Sequence, residues 1–339
     1  MKRWSLLIIL GKLFIACVAP NVVAEPEEKL YGKINLSMVN SDVNGASEWQ
    51  LNSNASRVGF IGKRPLSDTL FVHYAAEFEV YPDDGNKTSK STVCPANAVR
   101  DESCLVTSDR STFSQRNITL AISGDLGRLW AGKRDTPSKV AQNKIDLFND
   151  LEGDIKNTFE GENRVSNIIG VSTSKFFGLN ATIAMVPGEG SDTNSDGIDD
   201  TGLSDGIGYS VSYTGDNLYV AIAGDEDIDN QDLLRLVARY RLNALTIGAM
   251  HQKNQTNDNS VDESGYFLSA AYTAGKTVFK AQFGRVTGEG TNEEETLSFG
   301  ADYKVAKDTK MYIFFTENRD FDGQSDDQKA MGIGLEQKF

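Results

Sequence analysis

The sequence predicts an all-β chain, a closed antiparallel barrel of sixteen strands that crosses a membrane, and three observations predict it. Apolar and polar residues alternate with period two almost throughout, the spacing of a strand with one greasy and one polar face. Tight connections alternate with long polar ones. The polar face of "DLLRLVARYRL" carries Arg235, Arg239 and Arg241, which the core of a soluble sandwich would have to desolvate and which the lumen of a wide barrel keeps wet.

At the start of the chain, Lys2 and Arg3 precede the apolar run "WSLLIILGKLFIACVA", and Val22 and Ala24 in "NVVAEPEE" occupy the positions a signal peptidase reads. Residues 1–24 are expected to be a secretory signal and 25–339 a single barrel unit. A lipoprotein reading with Cys17 of "FIAC" as the lipidated residue stays open, although Phe14 suits a lipobox poorly. Cleavage after Ala24 removes Lys2, Arg3 and Lys12 and no acids, leaving 31 Lys+Arg against 48 Asp+Glu, a net charge of −17. A surface of that sign repels nucleic acid. No later apolar run reaches the roughly 18 residues of a membrane helix, but a barrel strand needs only every second residue to be apolar.

The strands begin with "LYGKINLSMVN", which puts Leu30, Gly32, Ile34, Leu36 and Met38 on one face and Tyr31, Lys33, Asn35 and Ser37 on the other. Further segments are expected at 55–63, 69–81, 112–123, 126–134, 164–174, 178–187, 206–214, 217–224, 232–242, 245–254, 263–274, 276–287, 295–305, 308–318 and 329–339. Together with 30–39 they make an even number, as a single-chain bacterial barrel requires. Between them, "SGDLG", "KFFG", "YTGDN", "LNA", "TAGKT" and "KVAKDT" are tight. The connections 40–54, 82–111, 135–163, 187–205, 225–231, 255–262, 288–294 and 319–327 are expected to be long loops on the other side. Tyr209, Tyr213, Tyr240, Tyr266, Tyr272, Phe299 and Tyr303 stand on outward faces near strand ends, where aromatic girdles lie at lipid interfaces. Any one of them equally fits a cross-strand pair. The small outward residues Gly32 and Gly62 are compatible with a close subunit contact.

Cys94 and Cys104 share one polar stretch, and in an exported chain a pair so close is expected to clip its loop with a disulfide. "DTNSDGIDD" places Asp192, Asn194, Asp196 and Asp200 as oxygen ligands with Gly197 at the sharp turn, the first half of a calcium loop. The twelfth position is Leu203 where a bidentate glutamate belongs, so calcium would be a local loop stabiliser, and a solvated turn uses the same residues. No other cofactor is expected. The histidines, His73 and His251, sit in no nucleophile–base motif, so catalysis is not expected.

Five stretches in this order, "KLYGKINLSM", "SRVGFIGKRPL", "FSQRNITLAISGDLGRLWAGKRDTP", "NRVSNIIGVSTS" and "MGIGLEQKF", resemble a Gram-negative general diffusion porin over essentially the whole mature chain. The resemblance implies short periplasmic turns, long extracellular loops and a third long connection, 135–163, folded inward to narrow a water-filled channel. It implies that Asp146, Asp150, Glu152 and Asp154 of that loop face a basic wall of Lys33, Arg57, Arg116 and Arg164. The parity of Arg116 is ambiguous, because "NITLAI" is apolar in both registers, and the Pro-Glu-Phe tip of many enteric porins is absent. By parity Arg235, Arg239 and Arg241 would add a second basic stripe.

Phe339, after outward Met331, Ile333 and Leu335, resembles the signal read by the barrel-assembly machinery. A homotrimer in contact with outer-membrane lipid and lipopolysaccharide is also implied. The expected function is passive diffusion of ions and small hydrophilic solutes, with mild cation selectivity from the excess acid. A solute-specific channel and a closed adhesin or anchor barrel are the alternatives.

Overall fold

The computed structural model describes residues 27–83, 87–93, 105–190, 201–258, 260–289, 293–320 and 327–339. Strands run β1 Glu27–Val43, β2 Ala46–Ser53, β3 Arg57–Pro65, β4 Phe71–Val80, β5 Lys87–Val93, β6 Leu105–Ser111, β7 Phe113–Gly124 and β8 Gly127–Asp135. The short helix α1, Pro137–Ala141, follows, then β9 Arg164–Thr173, β10 Leu179–Val186, β11 Gly206–Thr214, β12 Leu218–Glu226, β13 Gln231–Leu242 and β14 Leu245–Thr256. The chain ends with β15 Asp262–Ala274, β16 Thr277–Glu289, β17 Glu294–Ala306, β18 Thr309–Asp320 and β19 Gln328–Lys338.

Every wall strand pairs antiparallel with its neighbours, and the wall closes where β1 meets β19, from Lys33 opposite Lys338 to Val43 opposite Gln328. On its other edge β1 pairs with β2 and then β3, two halves of one wall strand interrupted at 54–56, where Ala55 has φ +48°. The wall therefore has sixteen positions, while β5 and β6 form a separate hairpin outside it. Closure leaves no sheet edge exposed to lipid. The outward residues are those the alternation assigns, for example Leu234, Leu236 and Tyr240 on β13 and Met331, Ile333 and Leu335 on β19, all exposed.

Connection 40–54, expected to be a long loop, is instead mostly strand: β1 runs to Val43 and turns back at Ala46. Asn44 and Gly45 take φ +51° and +84°, the left-handed pair a two-residue hairpin demands, and the Asn-Gly dipeptide outweighs the polar composition around it. The outward glycines each lie under an aromatic ring. The ring of Phe339 lies across Gly32 and that of Tyr74 across Gly62, so the space a Cβ would take is already filled by an aromatic from the adjacent strand. These glycines accommodate rings within the barrel wall.

The segment between β8 and β9 folds into the barrel. Thr136 caps α1 by accepting from the Lys139 amide, with Pro137 in the first turn. Asp154 caps a 3-10 turn, Ile155–Asn157, by accepting from the Lys156 amide. The loop's apolar side packs on the inner wall: Ala141, Ile145, Ile155 and Phe159 against Tyr219, Val237, Met250, Phe267 and Val286. Further along, Phe148 packs against Val39, Tyr312, Phe314 and Ala330. Burial of this kind contributes about 1.5–3 kcal/mol per large side chain. The inner wall is therefore dry where the loop covers it and open to water elsewhere, whereas alternation alone treats the whole lumen face as solvated.

Candidate functional site

The inward loop is held by polar ties around much of the lumen. Ser138 donates to the Asp225 carboxylate on β12, and Tyr219 donates to the Ala141 carbonyl at 2.9 Å. Arg239 reaches the Asn143 carbonyl at 3.0 Å and Lys280 the Leu147 carbonyl at 3.0 Å. Gln282 accepts from the Leu147 amide and donates to the Gly153 carbonyl, and Asn318 donates to the Glu152 carbonyl. Arg235 on β13 is fully buried at 0 % exposure: it donates to the carbonyls of Ser138 (3.3 Å) and Glu160 (3.0 Å), to the Glu162 carboxylate (2.8 Å) and to Gln252.

Beside the loop an opening of about 410 Å³ remains, lined by five basic and five acidic residues. On the wall side Arg57, Arg116 and Arg164 meet carboxylates at once. Arg116 bonds Glu77 at 2.8 Å and Glu79 at 2.9 Å, Arg57 stands 3.6 Å from Glu77, and Arg164 is 2.9 Å from Asp135. Lys139 and Lys156 are the other cations, and Asp150, Asp154 and Glu162 are the acids of the loop. Lys33 bridges wall to loop, 2.9 Å from Asp150 and 3.7 Å from Glu336.

The ambiguous Arg116 faces inward because of a β-bulge. Ala76 opposes Ile118 but Phe78 opposes Gln115, so Glu77 alone faces both Arg116 and Asn117. An extra residue on one strand turns two consecutive side chains toward one face, which alternation cannot register. Asn117 then accepts from the Asp135 amide at the loop's root.

The four loop acids play different parts. Asp150 faces the opening: burial opposes its ionisation, but Lys33 beside it, with Arg57 and Arg116, outweighs burial and holds its pKa below the ordinary carboxylate value. Asp154 also lines the opening, yet it is spent on the Asp150 and Lys156 amides. Asp146 accepts from the Phe148 and Ile155 amides inside the loop. Burial, reinforced by neighbouring Asp154, pushes its pKa up, which weakens its contribution to any field. Glu152 accepts from Asn52 at 2.8 Å and ties the loop to β2.

Arg235, Arg239 and Arg241 do not form a wet basic stripe. Arg235 and Arg239 hold the loop, and only Arg241, at the tight-turn end, is exposed. The sequence reading missed Glu77, Glu79, Asp135 and Glu162. The first two were visible in principle, as acids on the same face of "FVHYAAEFEV"; Asp135 and Glu162 flank the two ends of the inward loop and carry no local signal. Phe339 completes the closing seam, exchanging both backbone hydrogen bonds with Gly32 at 3.1 Å. Cys94, Cys104 and the Asp192, Asn194, Asp196 and Asp200 set lie outside the described residues. Among the described residues no cluster of three or more potential metal ligands is present.

A family profile of Gram-negative porins matches residues 13–324. No curated protein sequence matches the chain. Similar solved structures include an anion-selective porin from Comamonas acidovorans, 19 % identical with TM-score 0.73 over 93 % of this chain and 100 % of that one. They also include the trimer form of OmpT from Vibrio cholerae, 14 % identical with TM-score 0.67 over 93 % of this chain and 100 % of that one. OmpF of Salmonella typhi in complex with daunomycin matches at 15 % identity and TM-score 0.65, over 94 % of this chain and 100 % of that one.

Proposed function

The chain belongs to the Gram-negative porin family and is an outer-membrane channel, and from that premise we propose that it conducts small hydrophilic solutes and ions passively with a mild preference for cations set at its outer mouth. The observation that carries the reading is the inward loop, which leaves an opening of about 410 Å³ flanked by arginines on the wall and carboxylates on the loop. Opposite charges a few ångström apart across a narrow opening with low-dielectric walls make a transverse field that is only weakly screened. Polar solutes align in that field, and apolar ones must disrupt the water it orders.

The charges at the narrowing balance, so net selectivity has to arise elsewhere. The outer connections 187–205, 225–231, 255–262, 288–294 and 319–327 together hold nineteen Asp+Glu and one basic residue, Arg319. The tight turns at the other end mix Lys175, Lys276, Lys304 and Lys307 with Asp125, Asp216 and Asp308. An acidic mouth concentrates cations by long-range attraction, which salt screens, so the preference should fade as the Debye length falls from about 30 Å at 0.01 M to about 3 Å at 1 M. Planar-bilayer reversal potentials in KCl gradients test this, and an unchanged cation preference across that range, or an anion preference, refutes it. A homotrimer accords with the trimer form of OmpT, and conductance steps in groups of three are expected from it. Catalysis forms no part of this reading.

A further inference from the structure

Apart from Arg241, exposed at the tight-turn rim, each charged lumen side chain so far named has an opposite-charge partner or is tied to the loop among the described residues. Four cations of one cavity break the pattern; Lys29 on β1 is exposed at its rim, and the other three stand deeper. Lys63 on β3 and Arg128 and Arg134 on β8 line one cavity of about 870 Å³ on the tight-turn side of the narrowing, and none of them has a carboxylate within salt-bridge distance among the described residues. Their contacts are with rings: the Lys63 ammonium lies 4.2 Å from the Phe71 ring centre and the Arg134 guanidinium 4.6 Å from that of Trp130. The Arg128 Nε is buried without a hydrogen-bond partner. Of the acids lining the same cavity, Glu28 is taken by Arg64 and Asp135 by Arg164, and Glu27 stands at the strand's start.

Half-buried guanidiniums without counter-charges are costly to hold, and arginine's planar fork matches the oxygens of phosphate and carboxylate. The remaining wall mixes polar Asn117, Thr119 and His73, whose Nε2 is 2.7 Å from the Ser123 hydroxyl, with apolar Ile61, Ala75 and Val140. We propose that this periplasmic half of the lumen is a subsite for small oxyanions, with Lys63, Arg128 and Arg134 as its donors. The site is open to water and rests on the channel reading above. It must be weak, because a solute that binds tightly cannot leave. Placed behind an acidic outer mouth, it also arranges fixed charge of opposite sign along the pore axis, negative outside and positive inside.

Trp130 reports on the site, since its ring lies against Arg134. With Trp49 replaced by Phe, emission of the detergent-solubilised protein is expected to change saturably with inorganic phosphate at a half-point of roughly 1–10 mM, a weak-binding range, and not with chloride at matched ionic strength. Added tripolyphosphate is expected to reduce single-channel KCl current more from the periplasmic side. R128Q/R134Q should lower both responses at least about tenfold, equivalent to 1.4 kcal/mol, and K63Q alone should weaken them if the double variant does not fold. A non-saturating titration, an equal response to chloride, or block unchanged in either folded variant overturns the proposal. A chain that binds phosphate but passes no current overturns the channel reading instead, and a conducting chain indifferent to phosphate leaves the channel standing and removes the subsite.

Discussion

Replacing Arg235 by Met tests whether the constriction is a fixed structure or a loop resting loosely on the wall. The guanidinium is fully buried, and the Glu162 side chain it meets at 2.8 Å is 8 % exposed. It also satisfies the Ser138 and Glu160 carbonyls, near the two ends of the inward segment. Removing one member of such a pair leaves a buried charge and unmet carbonyls, a loss of about 3–5 kcal/mol. Glu162 has an escape: burial already pushes its pKa up, against the pull of Arg235 and Lys139, and without Arg235 it takes a proton more readily. The loss should therefore shrink as the pH is lowered, by up to about 1.4 kcal/mol per pH unit. Adding E162Q to R235M should recover part of it, because no carboxylate is then stranded. Hydrogen exchange of the 153–163 amides reads the anchoring directly, and open-channel current noise reads its consequence. Wild-type exchange and noise in R235M at pH 7 would refute the idea that this arginine pins the loop.

Lys33→Gln should remove one positive charge and the direct ion-pair partner of Asp150 beside the opening and raise the cation-to-anion permeability ratio roughly twofold; a reversal potential that stays put, or moves toward anions, argues against it. Acidification should leave the Lys33–Asp150 tie intact well into the acid range. A carboxylate whose folded pKa is depressed stabilises above its unfolded value of about 3.8 and loses that contribution only as pH falls through the lower folded value. Exchange protection of the loop near Asp150 should accordingly persist at pH 4, and early loss there would contradict the direction of the shift. Gly32→Ala puts a Cβ 2.4 Å from the Phe339 ring and 2.7 Å from the Arg57 carbonyl, and overpacking at the closing seam should cost about 1–3 kcal/mol. Heat-modified gel mobility would show it as a lower unfolding temperature, and no change would mean the ring swings aside freely.

Strand number and position were legible in the residues because a wall one strand thick has lipid on one side and the lumen on the other, so period two runs along every strand. The segments read at 206–214, 232–242 and 263–274 lie within a residue of the observed β11, β13 and β15 at each end. Where local chemistry competed with composition the reading failed, as at Asn44-Gly45, whose turn geometry keeps β1 and β2 paired through a polar stretch.

Parity says which way a side chain points, and for Arg235 it was right: the residue faces the inside of the barrel. Whether the inside is water or protein at that height depends on the path of the segment between β8 and β9, which the alternation of β13 does not encode. Partnership is likewise decided across strands far apart in the chain, by register and by the bulge opposite Glu77 that swings Arg116 and Asn117 inward together. Local order thus determined the barrel, its closure and the sign of its two faces. Cross-strand register, the bulge and the folded-in loop together decided which charges cancel, which anchor and which are left facing a passing solute, because Coulomb and desolvation energies follow distances in space and not along the chain.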